Sequence, residues 1–263
     1  MVNIKMAHNY HVVTNSPWPL TATISVFSFF LGFVLLLSGK IGGSLLTLIA
    51  LISLIISITF WFLDINIESS YQGEHTLVVQ KGISLGFLLF VISEACVFFG
   101  LFFAFFYNSL VPSIEIGSIW PPVGIVTLDY TSVPLFNTII LLTSGFSITA
   151  AHNFILNREF LPSFFYLFLT FFLGLLFSFF QYFEYANSLF TLTDSVYGSS
   201  FFILTGCHAF HIFVGSFLLL FSLIRLAFNH FSNFRHLLFS FSALYWHFVD
   251  AIWLFLFLVL YIW

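Results

Sequence analysis

The sequence predicts an all-α integral membrane protein with seven transmembrane helices, laid out along the chain as a two-helix unit followed by a five-helix unit. Three observations carry this expectation. Of 263 residues, 60% are hydrophobic and only 6% are charged, against roughly 25% charged in a soluble domain. The apolar residues fall in seven unbroken runs, each close to the roughly 20 residues that a hydrocarbon core of about 30 Å requires. The runs do not alternate apolar with polar residues over about ten positions, as barrel strands would.

The segment 1–15 is polar, with no short apolar core and no small-residue cleavage site, so no signal peptide is expected. The first two runs, Trp18–Leu37 and Ile41–Leu63, make a two-helix bundle over 16–63. A polar connection over 64–82, "DINIESSYQGEHTLVVQKG", then separates them from a five-helix bundle over 83–263. The third run, Val79–Tyr107, carries Gly86, Ser93, Gly100 and Ala104 on one stripe, and small residues let membrane helices approach closely. After it comes "PSIEIGSIWPPVGIVTLDYTSVP" (Pro112–Pro134), whose prolines cannot continue a helix and which reads as a structured surface loop. Val133–Ile155, Pro162–Phe183, Tyr197–Ala227 and Leu237–Trp263 complete the set, the sixth with its own small stripe of Gly198, Thr205, Ala209, Ser216 and Ser222.

Seven spans put the termini on opposite sides of the membrane. Lys5, Lys81, Arg158, Arg225 and Arg235 fall on the N-terminal side and only Lys40 on the other. The positive-inside rule therefore places the N-terminus in a cytoplasm-equivalent compartment such as a mitochondrial matrix. The high Phe count, 42 of 263, suits an A+T-rich organellar coding genome. Cys96 and Cys207 both lie deep in spans, where they read as packing residues rather than a disulfide framework.

Chemistry concentrates at mid-depth. At about 1.5 Å per residue, Glu94 lies roughly 20 Å along its helix from Lys81 at the interface, close to the bilayer midplane. A carboxyl there is unfavourable when ionised, so it is expected to be protonated or paired, and intramembrane acids often mark proton paths. His208 and His211 sit near the centre of the sixth span, His247 and Asp250 near the centre of the seventh. "CHAFH" invites a haem reading, but two residues three apart on one helix face cannot clamp opposite sides of a haem, and only His152 or His247 lies deep enough to supply a second ligand. Packed histidines in a polar network are the expectation. His247 and Asp250, at i and i+3, can pair with each other. Arg225, His230, Arg235 and His236 form a basic patch that suits anionic lipid headgroups, cardiolipin included, or serves only to set topology. There is no Gly-rich phosphate loop, nucleophile motif or cysteine ligand cluster, so neither nucleic-acid binding nor self-contained catalysis is expected.

Nine pieces in order, "SPWPL", "ESSYQGEHT", "QKG", "SE" at Ser93–Glu94, "WPP", "SGFSITAAH", "YGSSFF", "TGCHAFHIFVG" and "YWHFVDAIWLFLF", closely resemble the cytochrome c oxidase subunit III family over almost the whole chain. The resemblance implies a two-helix and a five-helix bundle splayed into a V, with phospholipids in the cleft. It implies no haem, copper or other metal on this chain, these belonging to partner subunit I, while subunit II receives electrons from cytochrome c and accessory subunits surround the core. It further implies a mitochondrial inner-membrane location with the N-terminus on the matrix side, packing on subunit I, support of proton uptake, and protection against turnover-linked inactivation. Glu94 matches the family's carboxyl-reagent target, and the family's lipid contacts carry over to His75, Glu68 and Arg225. The chain departs from the family at Ile67, where Arg usually precedes the acid, at Phe103 (commonly Trp), at Tyr107 (commonly His) and at Asn153 (often a second His). The competing reading is a free-standing proton-coupled transporter using Glu94, His208 and His247 as a relay. No pair of Gly- or Pro-broken half-helices in two repeats supports it.

Overall fold

A computed structural model describes residues 10–11, 15–232 and 235–262. Lys5 and most of the 1–15 segment lie outside the described residues. Among the described residues, seven helices are long and apolar enough to cross a membrane: α1 Trp18–Leu37, α2 Gly43–Ile67, α3 Leu77–Leu110, α4 Val133–Leu156, α5 Phe160–Ala186, α6 Val196–Ala227 and α7 Leu237–Leu256. The last continues as a π-helical stretch, Phe257–Ile262. The all-α, seven-span expectation holds, and the described residues contain no strand, only an isolated bridge between Ser232 and Arg235.

The largest boundary difference is at the end of α2, which runs on from Leu63 to Ile67 and then into a π-helical turn, Glu68–Gln72. The polar residues that suggested a break are satisfied inside the helix: the Asp64 carboxylate accepts a hydrogen bond from the Trp18 indole of α1, whose ring stacks on Phe60. The turn stops at Gly73, whose positive φ of 74° suits glycine. Only Gly73–Thr76 separate it from α3, so most of the connection expected over 64–82 is helical.

Local signals explain the other ends. Pro residues occupy the first turns of α1 and α4, where an N–H would have no acceptor anyway. Ser195 caps α6, its Oγ accepting from the Tyr197 and Gly198 amides. The long break between α3 and α4 holds a single 3₁₀ turn, Ile114–Ile116.

The chain divides into two compact units, Met1–Leu85 and Gly86–Trp263. In the first, α1 and α2 pack closely where side chains are small. A Cβ added to Gly43 would lie 2.5 Å from the Leu36 backbone nitrogen, and one added to Gly32 would lie 2.7 Å from that of Thr47. Ser53 donates to Ser25 across this seam.

In the second unit the core is aromatic, with Trp246, Trp253, Tyr245, Phe98, Phe177 and Phe201 each essentially sealed from the surroundings. Hydrogen bonds staple the helices across it. Trp246 donates to Ser144, Trp253 to Thr138, and Ser222 pairs with Ser242. The α6 small stripe is used as expected, with Gly198, Thr205, Ser216 and Ser222 all buried. The α3 stripe stays outside this chain's own core: Gly86, Ser93, Gly100 and Ala104 are exposed, and a Cβ on Gly86 or Gly100 would touch nothing. The face of α3 that is buried carries Val91, Phe98, Phe102 and Phe105. Bulky rings supply more contact area than the glycines and win the packing.

Candidate functional site

Glu94 projects from α3 beside Val91 and Phe98, and its carboxylate Oε2 lies 3.0 Å from His211 Nε2 on α6. His211 is 5% exposed, and its ring sits against Phe98 at 5.0 Å and parallel to Tyr245 at 6.3 Å. Its other nitrogen, Nδ1, is 2.7 Å from the Cys207 carbonyl one turn back. A carbonyl oxygen only accepts, so Nδ1 carries its hydrogen and donates. The bond to Glu94 then has two forms: a protonated carboxyl donating to bare Nε2, or an imidazolium donating to a carboxylate. One proton occupies the 3.0 Å gap in both, and its transfer requires no rotation of either side chain.

The other mid-depth residues do not join this pair by hydrogen bonds. His208, three residues earlier, points elsewhere: its Nε2 donates to the Val249 carbonyl of α7 at 3.2 Å, between Phe177 and Trp253. His247 is exposed and reaches the Thr149 hydroxyl of α4 at 3.3 Å. Asp250 makes no hydrogen bond to His247; its Oδ1 is buried without a partner and its Oδ2 lies over Gly145. The i, i+3 pairing is replaced because α4 offers a hydroxyl to the imidazole and a side-chain-free gap to the acid. Among the described residues, no three His, Cys, Asp or Glu side chains converge as a metal ion would need.

A second buried acid escapes the sequence reading. Glu184, 4% exposed, accepts from the Tyr261 hydroxyl at 2.6 Å, and the neighbouring Tyr185 donates to Thr205. The signal was present in "QYFEY" (Gln181–Tyr185), which sets Gln181 and Glu184 one turn apart on α5. The expected span ends at Phe183, one residue short of Glu184; α5 runs to Ala186 and carries the acid inside.

The lipid-contact candidates fall into two groups. In the first unit, Glu68 and His75 gather with two residues that sequence reasoning missed, His11 and Glu74. His11 Nε2 is 3.2 Å from Glu68 and its Nδ1 is 3.5 Å from Glu74, while its ring meets His75 edge-on at 6.1 Å. In the second unit, the turn after α6 collects the basic residues. Arg225 lies over the Phe231 ring, His230 stacks with Phe228, and Arg235 pairs its backbone with Ser232. His236 Nδ1 donates to the Ser232 carbonyl and its Nε2 lies 3.3 Å from His152 Nε2. A cavity of about 410 Å³ opens here, lined in part by Arg158, Asn229 and Phe231.

The family model for cytochrome c oxidase subunit III matches residues 8–263. The chain belongs to the cytochrome c oxidase subunit III family. It is 44% identical over 256 residues to cytochrome c oxidase subunit 3 of Pisaster ochraceus, covering 97% of this chain and 98% of that one. The same-named proteins of Allomyces macrogynus (45% identical, 97% and 93% covered) and Arabidopsis thaliana (43%, 97% and 97%) are similar over the same extent. Membership of the subunit III family makes this a multi-pass membrane subunit of an oxidoreductase complex, assembled with other oxidase subunits.

Of the groups outside the spans, His75 carries a pH consequence. Burial, reinforced by neighbouring His11, holds its imidazole below the ordinary 6.5 against the opposing pull of Glu68 and Glu74. A histidine whose folded value is depressed contributes stability that is fully present above about 6.5 and fades as pH falls through the lowered folded value. Acidification from about pH 7 through the lowered folded value is therefore expected to reduce the protection factors over Gly73–Thr76, measured by hydrogen–deuterium exchange mass spectrometry with each rate divided into the intrinsic rate at the same pH. His75→Gln should flatten that pH response.

Proposed function

We propose that the chain is the non-redox core subunit III of respiratory cytochrome c oxidase in the mitochondrial inner membrane, with its N-terminus in the matrix. In this reading it stabilises subunit I, holds phospholipid and supports proton uptake, while the complex passes electrons from cytochrome c to oxygen and translocates protons. Haem and copper sit on the partner subunits. Phospholipid headgroups, cardiolipin included, are held by Glu68 and His75 at one set of positions and by Arg225, His230, Arg235 and His236 at another. Family membership supports the assembly; the basic cluster suits anionic headgroups such as cardiolipin, and the Glu68 carboxylate suits the ammonium of a zwitterionic headgroup.

The observation that carries the proton-linked part is the Glu94–His211 pair. Its Nδ1–H is fixed by the Cys207 carbonyl, so Glu94 can give or take a proton at Nε2 while staying in place. Such a pair buffers a proton beside a neighbour's intake without redox chemistry of its own. A transporter relay through Glu94, His208 and His247 finds less support, because no hydrogen-bonded path joins the three among the described residues.

The test uses the oxidase purified from its native membrane. This chain is expected to co-migrate with haem-containing subunits and to carry no haem once separated from them. Glu94→Gln, which keeps a hydrogen bond to His211 but cannot exchange the proton, should leave initial oxygen consumption largely intact while shortening the active lifetime during sustained turnover. Migration of the chain alone, with substrate-dependent proton movement, would sink the assembly reading. Unchanged turnover, pumping and lifetime in Glu94→Gln would reduce the pair to packing.

A further inference from the structure

Glu184 is a buried acid that the proposed function does not use, and its surroundings are short of hydrogen-bond partners. It is 4% exposed near the end of α5, and no cationic side chain pairs with it among the described residues. Its Oε1 accepts from the Tyr261 hydroxyl at 2.6 Å, while Oε2 is buried without a partner. One turn back, Gln181 lies against Glu184, Tyr185 and Tyr261, yet both atoms of its amide stand outside bonding geometry. A third such group comes from α4. Phe136 and Phe180 meet at 5.0 Å, which brings Asn137 of α4 to the level of Gln181, and Asn137 is sealed with neither amide atom bonded. Tyr185 has no donor to spare: its hydroxyl is given to Thr205, whose own goes to the Phe201 carbonyl.

On Asn137, Gln181 and Glu184, five buried polar atoms thus lack a partner, although such groups are almost always bonded in native interiors. Turning either amide over exchanges its oxygen and nitrogen without supplying a partner. The set is chemically mixed. A bound cation would satisfy Glu184 Oε2 and the two amide oxygens but leave both amide nitrogens unbonded. Water donates to oxygens and accepts from N–H groups, so it serves all five. A route to this end of the unit exists in a cavity of about 350 Å³, lined by Thr127, Leu128 and Asp129 of the α3–α4 connection and by Tyr261 of the bundle.

We infer that Asn137, Gln181 and Glu184 hold a small group of ordered water molecules, supplied through the cavity beside Tyr261, and that Glu184 exchanges its proton with the aqueous phase through them. An uncompensated carboxylate in the interior is costly, so the acid keeps its proton. With Oε1 engaged by Tyr261, that proton sits on Oε2 and is donated to water. In exchange, the Oε2–H bond breaks as its proton passes to a water oxygen, and a second proton from the same water group forms the new bond, leaving no charge on the side chain. Tyr185 and Tyr261 are the titratable groups beside it, and both already act as donors. The site is distinct from the Glu94–His211 pair and does not depend on the role proposed for that pair.

The test is infrared difference spectroscopy of the intact membrane complex that contains this chain. A protonated-carboxyl C=O stretch, present in the unsubstituted protein and lost in Glu184→Gln, is expected to shift to lower frequency within minutes of transfer to D₂O. A band that stays in place after overnight exchange overturns the inference. Absence of the band overturns it as well, and a carboxylate stretch that responds to replacing Na⁺ with K⁺ would name a cation as the occupant. Tyr261→Phe removes the bond to Oε1 and should raise the frequency of the band while leaving its response to D₂O. Leu128 already packs against the core, so Leu128→Trp directs an indole into the cavity and should slow the shift, with the starting frequency showing that the site is intact. An unslowed shift overturns entry by this route. A measurement that needs no variant is a cryo-electron microscopy map of the unsubstituted complex, in which solvent density is expected within bonding distance of Glu184 Oε2 and of the Gln181 and Asn137 amides. The three side chains bonded directly to one another, with no density between them, would overturn the inference.

Discussion

Trp246→Ala is expected to lower the stability of the second unit by about 3–5 kcal/mol, the range for truncating a sealed aromatic ring. The indole is 1% exposed and joins four helices. Projecting from α7, it lies in a slot whose walls are glycines: a Cβ on Gly174 of α5 would lie 2.5 Å from its Cη2, and one on Gly215 of α6 would lie 3.0 Å from its Cε3. Its Nε1–H donates to Ser144 of α4 at 2.8 Å. Truncation opens a void that three backbones must collapse to fill, and closely packed helices resist that movement. Trp246→Phe retains most of the ring contact but not the donor and should cost about 1 kcal/mol, since the Ser144 hydroxyl keeps its bond to the Leu141 carbonyl. From the opposite side, Gly174→Ala drives a methyl into the same ring and is expected to cost about 1–3 kcal/mol. Denaturant titration in mixed micelles, followed by circular dichroism, ranks the three. A Trp246→Ala loss no greater than that of Trp246→Phe would show that the slot closes freely.

Gly43→Val should weaken the α1–α2 pair by about 2–3 kcal/mol, near the upper end for overpacking. The neighbours of a Cβ at this position are backbone: Leu36 N at 2.5 Å, Leu35 C at 2.8 Å and Leu36 Cα at 2.9 Å. No rotamer change relieves the clash, so the two helices must part near their turn. Separation there also pulls Gly32 from Thr47 and strains the Ser53–Ser25 bond further along the seam. Cysteines placed across the seam report the change as a fall in cross-linking, and Gly43→Ala should show a smaller fall. Unchanged cross-linking in Gly43→Val would mean that the seam is looser than these distances imply.

The seven spans were legible because a hydrocarbon core imposes a length, and that length is written in the runs of Phe, Leu and Ile. Their ends were less so. Asp64 looked like a stop because its partner, Trp18, lies 46 residues earlier and nothing local announces the bond. Glu184 was missed for the same reason, its partner Tyr261 lying 77 residues later in the π-helical stretch after α7. At the candidate site, the residue types and depths of Glu94 and His211 could be read from the sequence. Their contact spans 117 positions and depends on which helices adjoin, which one sequence does not encode legibly. The stripe of small residues on α3 lies outside this chain's own core, because small size permits close approach without requiring it. The i, i+3 spacing of His247 and Asp250 likewise states only that the two share a face. Competition from Thr149 and the gap at Gly145 decided where each side chain went.

The slot that receives Trp246 has an implication for biogenesis. Its walls come from α4, α5 and α6, which the ribosome completes before α7 enters the membrane. Until then the three earlier helices hold a groove floored by glycine, in which the Ser144 oxygen still lacks the donor that Trp246 brings. α7 therefore acts as a keystone, and a nascent chain stalled before it would present that open groove to whatever insertion or quality-control machinery stands nearby.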